Sequence, residues 1–446
     1  MTSAAHVPFA VEVPDQLRPE RYYDAEFFAL EAERLWPRVW QMACRLEEIP
    51  EENDFAVYDI LDQSVVVVRR ADGGVAAFHN TCRHRGVRVA EGSGNCPGRF
   101  VCPFHGWSYG PDGRNLGIPR RRAFSDHNVT DGIDLVPVQA DTWGGCAWIN
   151  LDPEAPGLRA SLEPVATILD AWEVEAMRAE WWYACRLPVN WKLAEEAFVE
   201  QYHVLQTHPQ LGIPERFPAR DGSLAPEVFL AGELRYLRAM STGMAGMVHA
   251  DDVAIAERLG ERIQLSGDAD EVMSTWHRTF NDEVVHAHRA RGARMPDLNQ
   301  LEAEGRNEPM GYAFPHFFVL PMYSSASSYR FRPLGPEETL MEIWSLTRRH
   351  DDDDYDPPER PEIWPHDDPR FPPIPRQDFS NLPRQQLGLH ARAFDVLRLS
   401  EQMEGHISNF HRVIDRYLAG DPHRALLPKL AKVNVNPLEM SIKELP

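Results

Sequence analysis

The segment Cys82-Arg83-His84, followed after seventeen residues by Cys102-Pro103-Phe104-His105, brings two thiols and two imidazoles into two short, similar stretches. Two chemistries use that donor set. Tetrahedral zinc takes two cysteines and two histidines as a closed structural site. A Rieske [2Fe–2S] cluster puts two cysteines on one iron and two histidines on the other. Common zinc fingers place cysteine beside cysteine and histidine beside histidine, whereas each stretch here holds one of each. That interleaving suits a two-iron cluster held between paired loops, each loop giving one ligand to each iron. Zinc in the same four ligands would leave the protein colourless.

The flanking residues extend the pattern. Asn80-Thr81-Cys82-Arg83-His84-Arg85-Gly86 and Cys102-Pro103-Phe104-His105-Gly106-Trp107-Ser108-Tyr109 resemble the Rieske box of ring-hydroxylating oxygenases. The resemblance implies a [2Fe–2S] cluster bound by Cys82, His84, Cys102 and His105.

Composition sets the outer limits. A chain of 446 residues can bury a large core and divide into two or three domains. Apolar residues at 43% and charged residues at 26% are ordinary for a globular protein. A net charge of −22 argues against nucleic-acid or membrane-surface binding. No apolar run approaches the ~20 residues that span a bilayer. The N-terminal Met1-Thr2-Ser3-Ala4-Ala5-His6-Val7-Pro8 has neither a basic nor an apolar export region, which predicts a cytoplasmic protein. Beyond Cys82 and Cys102, the cysteines Cys44, Cys96, Cys146 and Cys185 have no framework spacing and read as reduced, buried thiols.

Along the chain, hydrophobic periodicity predicts an α+β protein, a small all-β unit and a larger one with an antiparallel sheet covered by helices; the resemblance implies that the first is a Rieske domain and the second the catalytic domain. Residues 1–40 form an N-terminal helical segment packing on the catalytic domain. Residues 41–155 carry short strands around 55–60, 64–68, 106–113 and 145–151, with turns at Ala71–Gly74 and Pro111–Gly113. The catalytic domain runs from 156 to 446. Helical patterns cover 158–180, 191–208, 228–249, 269–292 and 391–418, with Met240, Met244 and Met247 at helical spacing. Strands are predicted at 181–187, 312–320, 327–331 and 340–344. The charged, proline-rich run 351–375 reads as a solvated loop. No Gly-rich phosphate loop points to a flavin or nicotinamide domain, so another protein is the expected electron source.

The segment from Asn190 to Pro209 carries a second constellation. His203 and His208 lie five apart, about 140° apart on an ideal helix, so sharing a metal requires a wide π-type turn or helix termination before Pro209. Two histidines and one carboxylate with open positions suit non-haem Fe(II) that activates O2. Asn190-Trp191-Lys192, then an acid, then Tyr202-His203 and His208-Pro209 resemble the iron-binding segment of Rieske oxygenases. By that resemblance Glu200 occupies the position of the acid that bridges a Rieske histidine to an iron-binding histidine across a subunit boundary. Most relatives carry Asp there, and some that act on non-aromatic substrates carry Glu. The third ligand is expected in Gln377-Asp378…Gln386-Leu387-Gly388, with Asp378 favoured over Glu404. A simple helix-capping role is the competing reading of Asp378.

The resemblance implies the α subunit of a terminal oxygenase with a Rieske cluster and a mononuclear Fe(II). It further implies O2 as co-substrate, a ferredoxin or NAD(P)H-dependent reductase as electron donor, and a head-to-tail homotrimer, with a β subunit as an added option. Phe and Met in 210–320 favour a small hydrophobic substrate, aromatic or polycyclic, for dihydroxylation, monohydroxylation or dealkylation. Arg83, Arg85, Arg88 and Arg120-Arg121-Arg122 form a basic rim against the acidic background, a candidate dock for an acidic ferredoxin. A Rieske electron carrier and a zinc-stabilised binding protein are the competing classes. A carrier needs only the small domain, and some 290 residues follow it.

Overall fold

The computed structural model describes residues 6–211, 225–244, 246–264, 268–307, 310–351, 353–434 and 441–442. It divides into two compact units, Ala29–Ser161 and a larger one of Met1–Phe28 with Leu162–Pro446. The segment 1–40 read from sequence as a catalytic-domain appendage divides within the helix Ala25–Arg34. Residues 29–40 belong to the smaller unit, where the Trp36 carbonyl accepts from the Gln41 amide at 2.7 Å and the Arg38 carbonyl from Asn150.

In the smaller unit seven strands form one antiparallel sheet. Their order is Gln41–Arg45, Cys146–Asn150, Pro137–Trp143, Val75–His79, Gln63–Arg69, Asp54–Ile60 and Ser93–Asn95. The run Val65–Val68 is buried throughout, as a β-branched strand covered on both faces should be. Short strands Phe100–Val101, Ser108–Tyr109 and Asn115–Gly117 make a second sheet. Phe100, Trp107 and Tyr109 of this region pack with Val66, Val68 and Phe78, so the stretches bearing the Cys/His motif rest on one apolar core.

The larger unit is built on a six-stranded sheet. The order is Gly311–Ala313, Phe317–Met322, Ser325–Gly335, Glu338–Arg348, Met177–Leu187 and Glu362–Pro365. All pairs are antiparallel except the last. Several sequence expectations change here. The helical reading of 158–180 gives way at Met177, where pairing with Arg348 extends the strand four residues earlier than predicted. The loop predicted over 351–375 contributes Glu362–Pro365, whose proline is tolerated because the strand lies at the sheet edge. The helix predicted over 228–249 is Pro226–Gly243. Met244 and Met247 therefore leave the helical row, and their carbonyls accept the Ser327 and Ser325 hydroxyls. A separate helix, Ala250–Gly260, follows unforeseen. The pattern over 391–418 becomes helical only at Gly405, because Leu397–Arg398 pairs with Gln16–Leu17.

Inside this sheet Glu342 is clamped by Arg330, with bonds of 2.7 and 2.8 Å, and by Arg332 at 3.0 Å. Burial alone would raise the Glu342 carboxyl, but the two guanidinium groups hold it down at about 2. Removing one partner from a buried, paired charge costs about 3–5 kcal/mol. Arg330→Met is expected to lower unfolding stability by that order, as measured by denaturant titration. Because a depressed carboxylate adds stability that is lost as pH falls toward its folded value, wild type should lose this advantage over the variant below about pH 4.

Candidate metal centres

The helix Trp191–Val199 starts at Asn190, whose side chain accepts the Lys192 amide. The sequence suggests that this helix continues to 208, but it stops at Val199, and Glu200 is extended (φ −119°, ψ 147°). A turn through Gln201-Tyr202 leads to a single helical turn, Val204–Thr207, with His203 before it and His208 after it. The break settles the five-residue spacing, because the two imidazoles leave a chain that is no longer one helix. Their Nε2 atoms stand 3.2 Å apart.

Asp378 meets them from the helix Pro373–Leu389. Its Oδ1 lies 3.1 Å from His208 Nε2 and 3.6 Å from His203 Nε2. Among the described residues this is the one group of three that could hold a metal ion, its donor atoms all within 4.8 Å of one another. Ligands about 2.1 Å from one ion in neighbouring octahedral positions stand about 3.0 Å apart, so the spacing fits a facial two-histidine, one-carboxylate site. Asp378 caps no helix: it sits inside one whose N-cap is Pro372. Glu404 is not part of the triad; its Oε2 accepts the Ser400 amide at 2.6 Å.

The outer face of each imidazole is also engaged. His203 Nδ1 lies 2.6 Å from Glu200 Oε1, and the His203 amide donates to Glu200 Oε2 at 3.1 Å. His208 Nδ1 lies 2.7 Å from Gln377 Oε1. With carboxylate and amide oxygens accepting the Nδ1 protons, both Nε2 lone pairs face each other and Asp378. Three lone-pair donors in contact repel unless a cation lies among them, so the donor set fits a divalent metal. Burial raises the Asp378 carboxyl, against the opposing effect of the two histidines. Gln377 appeared in the sequence only as part of a motif; its role depends on a contact 169 positions away in the chain.

The two loops of the smaller unit are built alike. The Cys82 amide donates to Val87 O at 2.8 Å and the Gly86 amide to Cys82 O at 3.0 Å; Cys102 does the same with Trp107 at 2.8 Å and Gly106 at 3.0 Å. Gly86 and Gly106 occupy the same loop position at φ +81° and +76°, a region open to glycine. Both cysteines are buried, His84 is half-buried and His105 exposed. The His84 ring stacks on Trp107 at 5.2 Å and meets the His105 ring edge-on at 4.6 Å. Two buried cysteines beside two clustered, more exposed histidines form a donor set that would fit a two-iron cluster.

The buried Tyr109 hydroxyl accepts the Arg83 amide at 2.9 Å and lies 3.3 Å from Cys82 Sγ, to which it donates once that sulfur is a thiolate. Hydrogen bonds to cluster sulfurs favour the reduced state. Tyr109→Phe is expected to lower the cluster potential by about 60 mV, the one-electron equivalent of a hydrogen bond worth about 1.4 kcal/mol. Protein-film voltammetry checks this, and an unchanged potential would remove the bond from the account.

Comparison with known families and proteins adds identity to this geometry. Residues 39–136 match the Rieske [2Fe-2S] domain, and residues 174–420 match the ring hydroxylating alpha subunit (catalytic domain). The carnitine monooxygenase oxygenase subunit of Escherichia coli (strain K12) is 32% identical over 194 residues, covering 43% of this chain and 52% of that protein. The match thus spans about half the length of that relative. A glycine betaine monooxygenase oxygenase subunit from Chromohalobacter salexigens is 26% identical over 360 residues, 78% of this chain and 76% of that protein. Among solved structures, naphthalene 1,2-dioxygenase with indole bound has a TM-score of 0.63 at 18% identity, covering 97% of this chain and all of that one. A quaternary ammonium Rieske monooxygenase has a TM-score of 0.61 at 15% identity, covering 93% of this chain and all of that one. At such identities the likeness is one of fold. With the catalytic-domain match alone exceeding half of its length, the chain belongs to the ring-hydroxylating alpha-subunit family, whose two domains imply a Rieske cluster and a mononuclear iron.

Proposed function

We propose that this chain is the terminal component of a Rieske oxygenase. In this reading Cys82, His84, Cys102 and His105 hold the [2Fe–2S] cluster, and His203, His208 and Asp378 hold Fe(II). The convergence of two Nε2 atoms and one carboxylate oxygen carries the reading, since an electron carrier has no use for a second metal site. When bound, the cluster supplies one-electron transfer and the iron supplies O2 activation for oxidation of a C–H or C=C bond. The protein's part is to hold donors and protons in place. Glu200 keeps the proton on His203 Nδ1, and its second oxygen fixes the start of the short helical turn through the His203 amide.

Two substrate classes are open to such a site. The strand residues Phe318, Tyr329 and Phe331 gather around Phe198, which lies two residues before Glu200. Clustered aromatic rings of this kind suit the hydrophobic, aromatic substrate expected from the sequence. They equally suit a quaternary ammonium, which binds ring faces through cation–π attraction. The second class is favoured by the carnitine and glycine betaine relatives and by Glu in place of Asp at position 200. O2 uptake coupled to product formation, tested with carnitine and glycine betaine beside naphthalene and biphenyl, decides the question. Turnover of a quaternary ammonium compound is expected; coupled turnover of the arenes alone would return the substrate to the aromatic class.

The same reading assigns Glu200 to the path between one subunit's cluster and the next subunit's iron, in a head-to-tail trimer served by a ferredoxin or reductase. Glu200→Gln is expected to slow cluster reoxidation in single turnover by about 10–100-fold, with cluster and iron contents unchanged. A wild-type rate in that variant, or a fully active monomer by light scattering, would contradict the assignment. The exposed arginines 120–122 are proposed to receive the acidic donor. Reversing all three to Glu should slow reduction by the protein donor and leave reduction by dithionite unchanged, as stopped-flow absorbance would show.

A further inference from the structure

One imidazole of the triad is gripped at both nitrogens by consecutive residues of one helix. Within Pro373–Leu389, Asp378 Oδ1 lies 3.1 Å from His208 Nε2, while Gln377 Oε1 lies 2.7 Å from His208 Nδ1. His208 is buried. Gln377 does not act alone. Its Oε1 also accepts the Gln210 side-chain amide at 2.8 Å, and its own amide returns a longer bond to Gln210 Oε1 at 3.3 Å. The two amides therefore form a reciprocal pair with Gln377 Oε1 as the shared acceptor.

This pairing has a consequence for the proton on His208. An acceptor at Nδ1 requires the proton there, which leaves the Nε2 lone pair directed at the site. Turning Gln377 over by itself would set its NH2 group against the NH2 group of Gln210. The opposite tautomer, with its proton on Nε2 and unable to ligate, needs both amides to invert together. His203 is held differently, by the carboxylate of Glu200. One ligand thus has an anionic orienting partner and the other a neutral one.

We propose that Gln377 is a positioning residue for the mononuclear iron: its side-chain carbonyl, locked in orientation by Gln210, keeps His208 in the tautomer that can bind metal. The inference rests on the reading of His203, His208 and Asp378 as iron ligands. Orienting partners of this kind are worth about 10–100-fold in metal affinity.

The test uses the full chain with its cluster intact. Fe(II) affinity is measured by competition with a chelator, and the ferrous–nitrosyl EPR signal is recorded for wild type, Gln377→Leu, Gln377→Glu and Gln210→Leu. Gln377→Leu should bind Fe(II) about 10–100-fold more weakly with an altered nitrosyl spectrum and an unchanged Rieske signal. Gln377→Glu keeps an acceptor at the same place and should bind at least as tightly as wild type. Gln210→Leu releases the lock but spares the acceptor, and should fall between. Wild-type affinity in Gln377→Leu would overturn the proposal, as would equal losses in the Leu and Glu variants, which would mark the role as packing. Absence of any ferrous–nitrosyl species in wild type would overturn the ligand assignment itself, and this inference with it.

Discussion

Two imidazole nitrogens 3.2 Å apart, with a carboxylate oxygen 3.1 Å from one of them, are the constraint around which the larger unit is arranged. With both Nδ1 atoms satisfied by oxygen acceptors, the three inner atoms have only lone pairs to offer one another. A protein does not hold such a group closed for stability, since each buried donor without a counter-charge costs free energy. The surrounding structure supplies the restraint. The helix from Trp191 ends at Val199 so that His203 and His208 can turn toward a common point, and the helix from Pro373 delivers Asp378 and Gln377 to the same imidazole.

The smaller unit meets its ligand problem by repetition. Two loops with the same pair of backbone hydrogen bonds and the same left-handed glycine present one cysteine inward and one histidine outward. Trp107, at the end of the second loop, and Tyr109, in the strand Ser108–Tyr109 that follows, support the first: Trp107 stacks on His84, and Tyr109 holds the Arg83 amide and the Cys82 sulfur. The first loop is therefore positioned partly by residues at and just after the second, which brings the two Cys/His segments together.

Much of this was legible in the residues. The interleaved Cys/His pairs, the valine run Val65–Val68 and the strands of the large sheet are local patterns, and local patterns survive into the fold. Three features were not. The break at Glu200 has no glycine or proline to announce it, because the sequence Glu195–Val199 continues a good helical face up to that point. The edge strand Glu362–Pro365 lies in a charged, proline-rich stretch and owes its form to a partner strand some 180 residues earlier in the chain. The orienting role of Gln377 is likewise a long-range contact. Asp378 was favoured over Glu404 by motif alone, and it is their placement, one against both histidines and the other on the Ser400 amide, that separates them.

The most direct test of the two-centre account is iron quantitation with EPR on the purified protein, before and after dithionite and with nitric oxide added. The account predicts about three irons per chain, two in the cluster and one mononuclear. It predicts a rhombic signal from the reduced cluster and a high-spin signal from the ferrous–nitrosyl species. A cluster signal with about two irons per chain, and no nitrosyl species after incubation with Fe(II), would contradict it and leave an electron carrier in its place.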